Sequence, residues 1–218
     1  GAHHWKVVDQ SGRSFFVTVD DLDDKNWLAD TREAVFAGLR HALGTAAALQ
    51  RDAGLRFVVA PIESAANDIV RRLDDRYAMS VYPFLIGESS PFGPHTDPQR
   101  RAEVLDLLVA LHGATRAVRG LLPPHRLRVG GRGDLDAVLS DGDRPWAQGP
   151  FAEPARALAA SHAPALTEVL EGSDRLAETT ATARSDAVLT HGEPHPANLM
   201  SVDGRLVLLD WDTVALAP

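Results

Sequence analysis

Short apolar runs alternate with one long periodic stretch in the first third of the chain. Trp5-Lys-Val-Val-Asp9 and Ser14-Phe-Phe-Val-Thr-Val19 read as strands joined by Gln10–Arg13. After residue 30 the apolar spacing changes to that of a helix. Asp30-Thr-Arg-Glu33 reads as a capping box, with Val35, Leu39, Ala42, Leu43, Ala46 and Leu49 on one face, an end near Asp52 and Gly54 as the stop. Phe57–Ala60, Ile69–Leu73 and Tyr77–Tyr82 are three further strands on this reading.

The middle of the chain is helical in pattern. Gly87–Thr96 is a polar linker, and Asp97-Pro98 opens a helix with Val104, Leu105, Leu108 and Leu111 as its buried face and Gly113 as its end. Residues 120–133 read as loop, because Val129-Gly-Gly-Arg-Gly133 lacks the Gly-Lys-Ser/Thr of a phosphate loop. A helix is expected from about Asp134, and another over about Glu153–Glu171, bent near Pro164. Leu158, Leu166, Val169 and Leu170 mark the apolar side of the second, and Ser173–Arg184 is helical.

The stretch that organises the chain lies near the C-terminus. Val188–Thr190 reads as a buried strand, and His191-Gly-Glu-Pro-His-Pro-Ala-Asn198 is forced into a loop by its Pro and Gly. Leu199–Val202 and Arg205–Leu209 form a hairpin about Asp203-Gly204, a pair suited to the positive φ angles of a tight turn. Phosphoryl transfer needs a carboxylate to receive the acceptor hydroxyl's proton and oxygen ligands to hold magnesium on the phosphates. In protein kinases the base stands five residues before a metal-binding Asn, with a second metal ligand, an Asp, after the next hairpin. Glu193, Asn198 and Asp210 have that spacing. Two other readings compete: a His191-x-Glu193-x-His195 metal site, and a Pro- and His-rich turn without chemistry.

Composition narrows the field. With 218 residues, 44% hydrophobic and 24% charged, the chain suits one large domain or two small lobes. It has no cysteine, which excludes disulfides, thiolate metal sites and cysteine nucleophiles and suits a reducing cytoplasm. There is no membrane span and no secretion signal. The formal charge of −8 disfavours nucleic acid and favours a cationic small molecule as partner; it leaves the oligomeric state open.

His191–Asn198 together with Leu209-Asp-Trp-Asp212 resembles the catalytic and metal loops of the aminoglycoside phosphotransferase family, a branch of the kinase-like fold. The departure is Glu193, where that family usually has Asp. One extra methylene displaces the carboxylate by about 1 Å, worth roughly a hundredfold in rate unless Pro194 and Pro196 set the loop back. The resemblance implies an α+β, two-lobed protein-kinase-like fold: a β-rich N-terminal lobe over 1–83, a hinge and linker over 84–96, and a mainly helical lobe over 97–218. It implies transfer from ATP or GTP, with Mg2+, to the hydroxyl of a small molecule such as an aminoglycoside- or aminocyclitol-like antibiotic.

On that basis Glu193 accepts the hydroxyl proton and His191 braces the loop. Asn198 and Asp210 hold the metal and Asp212 supports them. The Pro83 carbonyl and Leu85 amide meet the base of the nucleotide. Gly1–Trp5, with His4, is either the tail of a glycine-rich turn over the phosphates or a frayed end. The phosphate-binding lysine of the kinase-like fold falls near Thr18. Lys6 or Lys25 takes its place, unless each is an isolated surface lysine. A first strand and the last helices of the family are expected to be missing. A nucleotide-binding protein without catalysis is the alternative reading.

Overall fold

The hairpin at the start is set by its turn. Strands β1 (Ala2–Val8) and β2 (Ser14–Asp21) pair antiparallel, and Asp9 Oδ1 accepts from the amides of Ser11 and Arg13 while Gly12 takes φ +84°. The structure is a computed structural model that describes residues 2–122, 129–141, 144–146, 149–182 and 187–217. It forms two units, Gly1–His125 with Asp186–Pro218, and Arg126–Ser185.

In the first unit, helix α1 (Arg32–Arg51) buries Val35, Leu39, Ala42, Leu43, Ala46 and Leu49, the face expected from their spacing. Full burial of each leucine contributes about 1.5–3 kcal/mol. The cap differs from the expected one. Thr31, in extended conformation, accepts the Ala34 amide at 3.3 Å, and Glu33 pairs with Arg72 instead of turning back on the helix start. Strands β3 (Arg71–Arg72) and β4 (Tyr77–Pro83) complete a sheet of order β1-β2-β4-β3. Phe57–Ala60 is no strand; Val58 makes an isolated parallel bridge to Leu208. Ala2–Trp5 lies within β1, so it is not a frayed end; Gly1 and Pro218 fall outside the described residues.

Strand β5 (Glu88–Ser89) follows, then helix α2 (Pro98–Gly113), capped by Asp97 on the Gln99 amide, and the short α3 (Thr115–Val118). Val104 and Leu111 of α2 are buried, but Leu105 is exposed. Strands β6 (Val188–Thr190), β7 (Leu199–Val202), β8 (Arg205–Leu208) and β9 (Ala215–Ala217) complete the unit. β7 and β8 form the expected hairpin, with Asp203 and Gly204 at φ +49° and +73°. β5 joins β7, and β9 returns to pair with β6. One apolar core unites α1, Val58, Ala78, Leu111, Leu189, Leu208 and Trp211.

The second unit contains α4 (Arg132–Ser140) and α5 (Ala152–Thr182), tied by Arg132 to Asp174 at 2.9 Å. Where the expected helices stopped at Glu171 and restarted at Ser173, α5 is one helix that continues across Gly172 and through Pro164. A proline costs about 3 kcal/mol there, but long Ala-, Leu- and Glu-rich flanks propagate the helix on both sides. Of its expected apolar marks Leu170 is buried, while Leu158 and Val169 are exposed, as is Leu166 at 37%. Residues 123–128 of the expected loop and 183–184 of the expected helix lie outside the described residues. No described helix is long and apolar enough to cross a membrane.

Candidate active site

Two loops are held face to face by the pairing of β6 with β9. The first leaves β6 at His191 and ends in a single 3-10 turn, Pro196–Asn198, that enters β7. The second leaves β8 at Leu209 and passes through Asp210, Trp211 and Asp212 to β9. His191 links them. Its ring is 1% exposed; Nε2–H donates to the Leu209 carbonyl at 2.8 Å, and Nδ1 accepts the Glu193 amide at 3.3 Å. These partners fix one neutral tautomer. Burial pushes the imidazole down to about 4, against smaller opposing effects of the Leu209 bond and the Asp212 charge. Neither ring nitrogen is left for a metal, so the His-x-Glu-x-His reading does not hold.

Gly192 allows the first loop to turn away at once. It sits at φ +93°, and a Cβ there would lie 2.8 Å from Thr213 Oγ1, which donates to the His191 carbonyl at 2.8 Å. Farther along, Asn198 Nδ2 donates to the Glu193 carbonyl at 3.0 Å, and the Asn198 carbonyl accepts the Leu209 amide at 2.8 Å. That orientation turns the amide nitrogen to the loop and leaves Oδ1 to accept a cation. The Glu193 side chain is 55% exposed, with Oε2 4.0 Å from His195 Nε2. The His195 ring packs edge-on to Phe92, and His95 Nε2 donates to the Pro194 carbonyl at 2.9 Å.

The second loop is wedged by Trp211. Its indole is 1% exposed, donates to the Leu208 carbonyl at 2.9 Å and packs edge-on to His191 at 4.6 Å. Asp210, at φ +61°, adopts a left-handed conformation that costs a non-glycine residue of order 1 kcal/mol. Its carboxyl is pushed up to about 7, first by burial and then by Asp212, with Glu193 adding to the effect and Lys25 opposing it. Asp210, Asp212 and Glu193 therefore share one electrostatic environment. Carboxylates that raise one another's pKa repel, and a cation nearby relieves that repulsion. Among the described residues no three His, Asp or Glu side chains stand close enough together to hold a metal ion by themselves.

Lys25 is not an isolated surface lysine. It is 6% exposed, and its Nζ lies 2.5 Å from Asp212 Oδ2 and 3.0 Å from Asp20 Oδ1. Burial alone would lower its pKa, but Asp212 and Asp20 together hold it above the usual lysine value. Sequence reading had no signal for this pairing, because Lys25 and Asp212 stand 187 positions apart. Asp20 was missed for the same reason, being one of several acids in an acidic run.

The sheet contributes a polar face. The register pairs Thr18 with His4 and with Ser80, and Phe16 with Lys6 and with Tyr82, so these side chains share one side. His4 stacks on Phe16 at 5.1 Å and bonds Thr18 Oγ1 at 3.3 Å; Lys6 Nζ stands 4.4 Å above the Phe84 ring. The Tyr82 hydroxyl is pushed well up by burial and then by Asp20, Asp210 and Asp212, which puts it beside the acidic cluster. Pro83 ends β4 opposite Phe15, and Leu85 lies in the segment that follows, before β5.

A sequence model of the phosphotransferase enzyme family matches residues 4–218. The chain belongs to this family. No curated protein sequence matches it. Among solved structures it is similar to a spectinomycin phosphotransferase in complex with ADP and spectinomycin, at TM-score 0.66 and 15% identity over 100% of this chain and 65% of that one. It is also similar to the amicoumacin kinase hAmiN in complex with AMP-PNP and Ca2+, at TM-score 0.52 and 14% identity over 98% and 57% of the two chains. For a Plasmodium vivax ethanolamine kinase the values are 0.53 and 9%, over 100% and 57%. The fold is that of these kinase-like enzymes, and the chain spans about 65% of the length of the first.

Proposed function

We propose that this chain transfers the γ-phosphoryl group of ATP or GTP to a hydroxyl of a small, cationic molecule of the aminoglycoside or aminocyclitol kind. One observation carries the reading: the loop of Asp210 and Asp212 is bonded through Leu209 to Asn198 and His191 of the loop that bears Glu193, and Lys25 Nζ lies 2.5 Å from Asp212. ADP and spectinomycin bound to one similar structure, and AMP-PNP bound to another, support it.

In this reading Asn198 Oδ1 and Asp210 hold Mg2+, and Asp212 completes its surroundings. The bound metal neutralises charge on the transferring phosphoryl group. Glu193, the exposed member of the cluster, accepts the proton of the attacking hydroxyl. His191, neutral and doubly bonded, orients both loops and takes no proton. The Leu85 amide and Pro83 carbonyl offer a donor and an acceptor to the nucleotide base. The absence of cysteine suits a reducing cytoplasm.

Release of ADP or GDP by the purified protein, measured with Mg2+ over a panel of amino sugars, aminocyclitols and amino alcohols, tests the proposal. Acceptor-dependent release is expected. Nucleotide binding without release would favour a second reading, a protein that binds but does not transfer. The feature behind that reading is Glu193, whose longer side chain makes no close contact on its carboxylate.

A further inference from the structure

We infer that Lys25 is the phosphate-facing cation of this site, in place of a lysine on β2. The inference rests on the phosphotransfer reading above and deepens it.

The position on β2 where a lysine is expected is filled by Thr18, a neutral residue already bonded to the His4 ring. The charge enters seven residues later, beyond the 3-10 turn Leu22–Asp24, whose amides are ordered by the Asp21 carboxylate. There Lys25 turns back under the sheet. Asp20 holds it from β2 and Asp212 from the metal loop, and the Trp27 ring lies 5.1 Å from Nζ.

Charge and donor counts favour a ligand there. Asp20, Asp210, Asp212 and Glu193 carry up to four negative charges, and Lys25 is the one lysine or arginine that pairs with any of them among the described residues. A polyphosphate entering that field needs a cation beyond the metal. An ammonium has three donors; the two carboxylates engage two, and one remains for a phosphate oxygen. Lys6 is a poorer candidate, since it is exposed on β1 with its ammonium over Phe84. A lysine that served only to neutralise Asp212 would leave nucleotide affinity indifferent to the number of phosphates. A phosphate-facing lysine instead makes affinity depend on them.

The sequence permits a direct test, because Lys6 and Lys25 are its only lysines. An acyl-phosphate derivative of ATP acylates the amine nearest its phosphates, and peptide mapping identifies the lysine. Acylation of Lys25, suppressed by excess unmodified ATP, is expected in the wild-type chain. ATP-protected acylation of Lys6 instead, or of neither lysine, would overturn the inference, provided calorimetry shows that the chain binds MgATP. A chain that binds no MgATP at all refutes the underlying nucleotide reading instead. In Lys25→Met the MgATP dissociation constant should rise about ten- to a hundredfold, while adenosine binds within about twofold of wild type. Equal losses for both ligands, or none for either, would count against a phosphate contact.

Discussion

The two loops of the site are built to opposite standards. The Leu209–Asp212 loop is fixed from several sides: Trp211 is wedged in the core, Leu209 is bonded to both Asn198 and His191, and Asp212 is gripped by Lys25. The outer part of the catalytic loop is held by His95 on the Pro194 carbonyl and by Phe92 against His195, and its Glu193 carboxylate stands in solvent. On the proposed reading, the groups that concentrate charge are locked before any ligand arrives. Glu193, which on the same reading meets the acceptor, is left adjustable. This is how a longer Glu can stand where the family usually has Asp, since an exposed side chain can choose a rotamer that a buried one cannot.

The strongest way to break this contrast is Asp210→Asn. Turnover should fall at least roughly a thousandfold, because a preorganised charge at the reacting phosphoryl group is lost. The metal-free protein should melt no lower than wild type, since a buried, repelled carboxylate has gone. Retention of activity in a steady-state assay would remove Asp210 from the site. Glu193→Gln should be milder, about a hundredfold in kcat, with KM for nucleotide little changed. A larger shift in nucleotide KM than in kcat would mean that Glu193 serves binding.

Gly192→Ala sharpens the contrast from the folding side. It forces a Cβ into Thr213 at positive φ and should cost about 2 kcal/mol or more by denaturant titration. The same change at Gly204 meets open space and has only its φ to overcome, so it should cost less. Equal costs would show that the Thr213 contact is slack.

The smallest effect is one of slope. His191 has its pKa lowered from 6.5 to about 4, so between those values the unfolded chain takes up a proton that the native one refuses. Stability then falls with acidification by about 1.4 kcal/mol per pH unit. Asp210, raised from 3.8 to about 7, acts in the opposite sense over nearly the same window, because there the native chain takes up the proton first. The two offset each other in the metal-free wild type. In Asp210→Asn the effect of His191 stands alone, and Tm should drop more steeply from pH 6.5 to 4. Parallel melting profiles for the two proteins would refute the linkage.

Much of this was legible in the residues. The 3.6-residue period of α1, the Asp203-Gly204 turn and the Asp97-Pro98 helix start are local patterns, and local patterns determine local structure. The short partners were not legible. β5 and β9 are two and three residues long, and what makes them strands is a neighbour elsewhere in the chain. Asp30 and Thr31 are both residues that cap helices, and the folded backbone, extended at Thr31, makes Thr31 the cap. The exposure of Leu105, Leu158 and Val169 shows that an apolar stripe predicts a helix better than it predicts what covers it. Lys25 illustrates the largest gap. Its type and spacing resemble those of any solvated lysine, and only the folded chain brings Asp20 and Asp212 to it.

The pairing of β6 with β9 closes a ring of consecutive residues from Val188 to Ala217 that holds Glu193, Asn198, Asp210 and Asp212 together. Contacts of such short range form quickly, whereas the Lys25–Asp212 pair must bridge nearly the whole polypeptide. Refolding should therefore assemble the acidic ring first and admit its counter-charge last. During that interval the nascent site is at its most repulsive, and millimolar divalent salt in the refolding buffer would ease the passage.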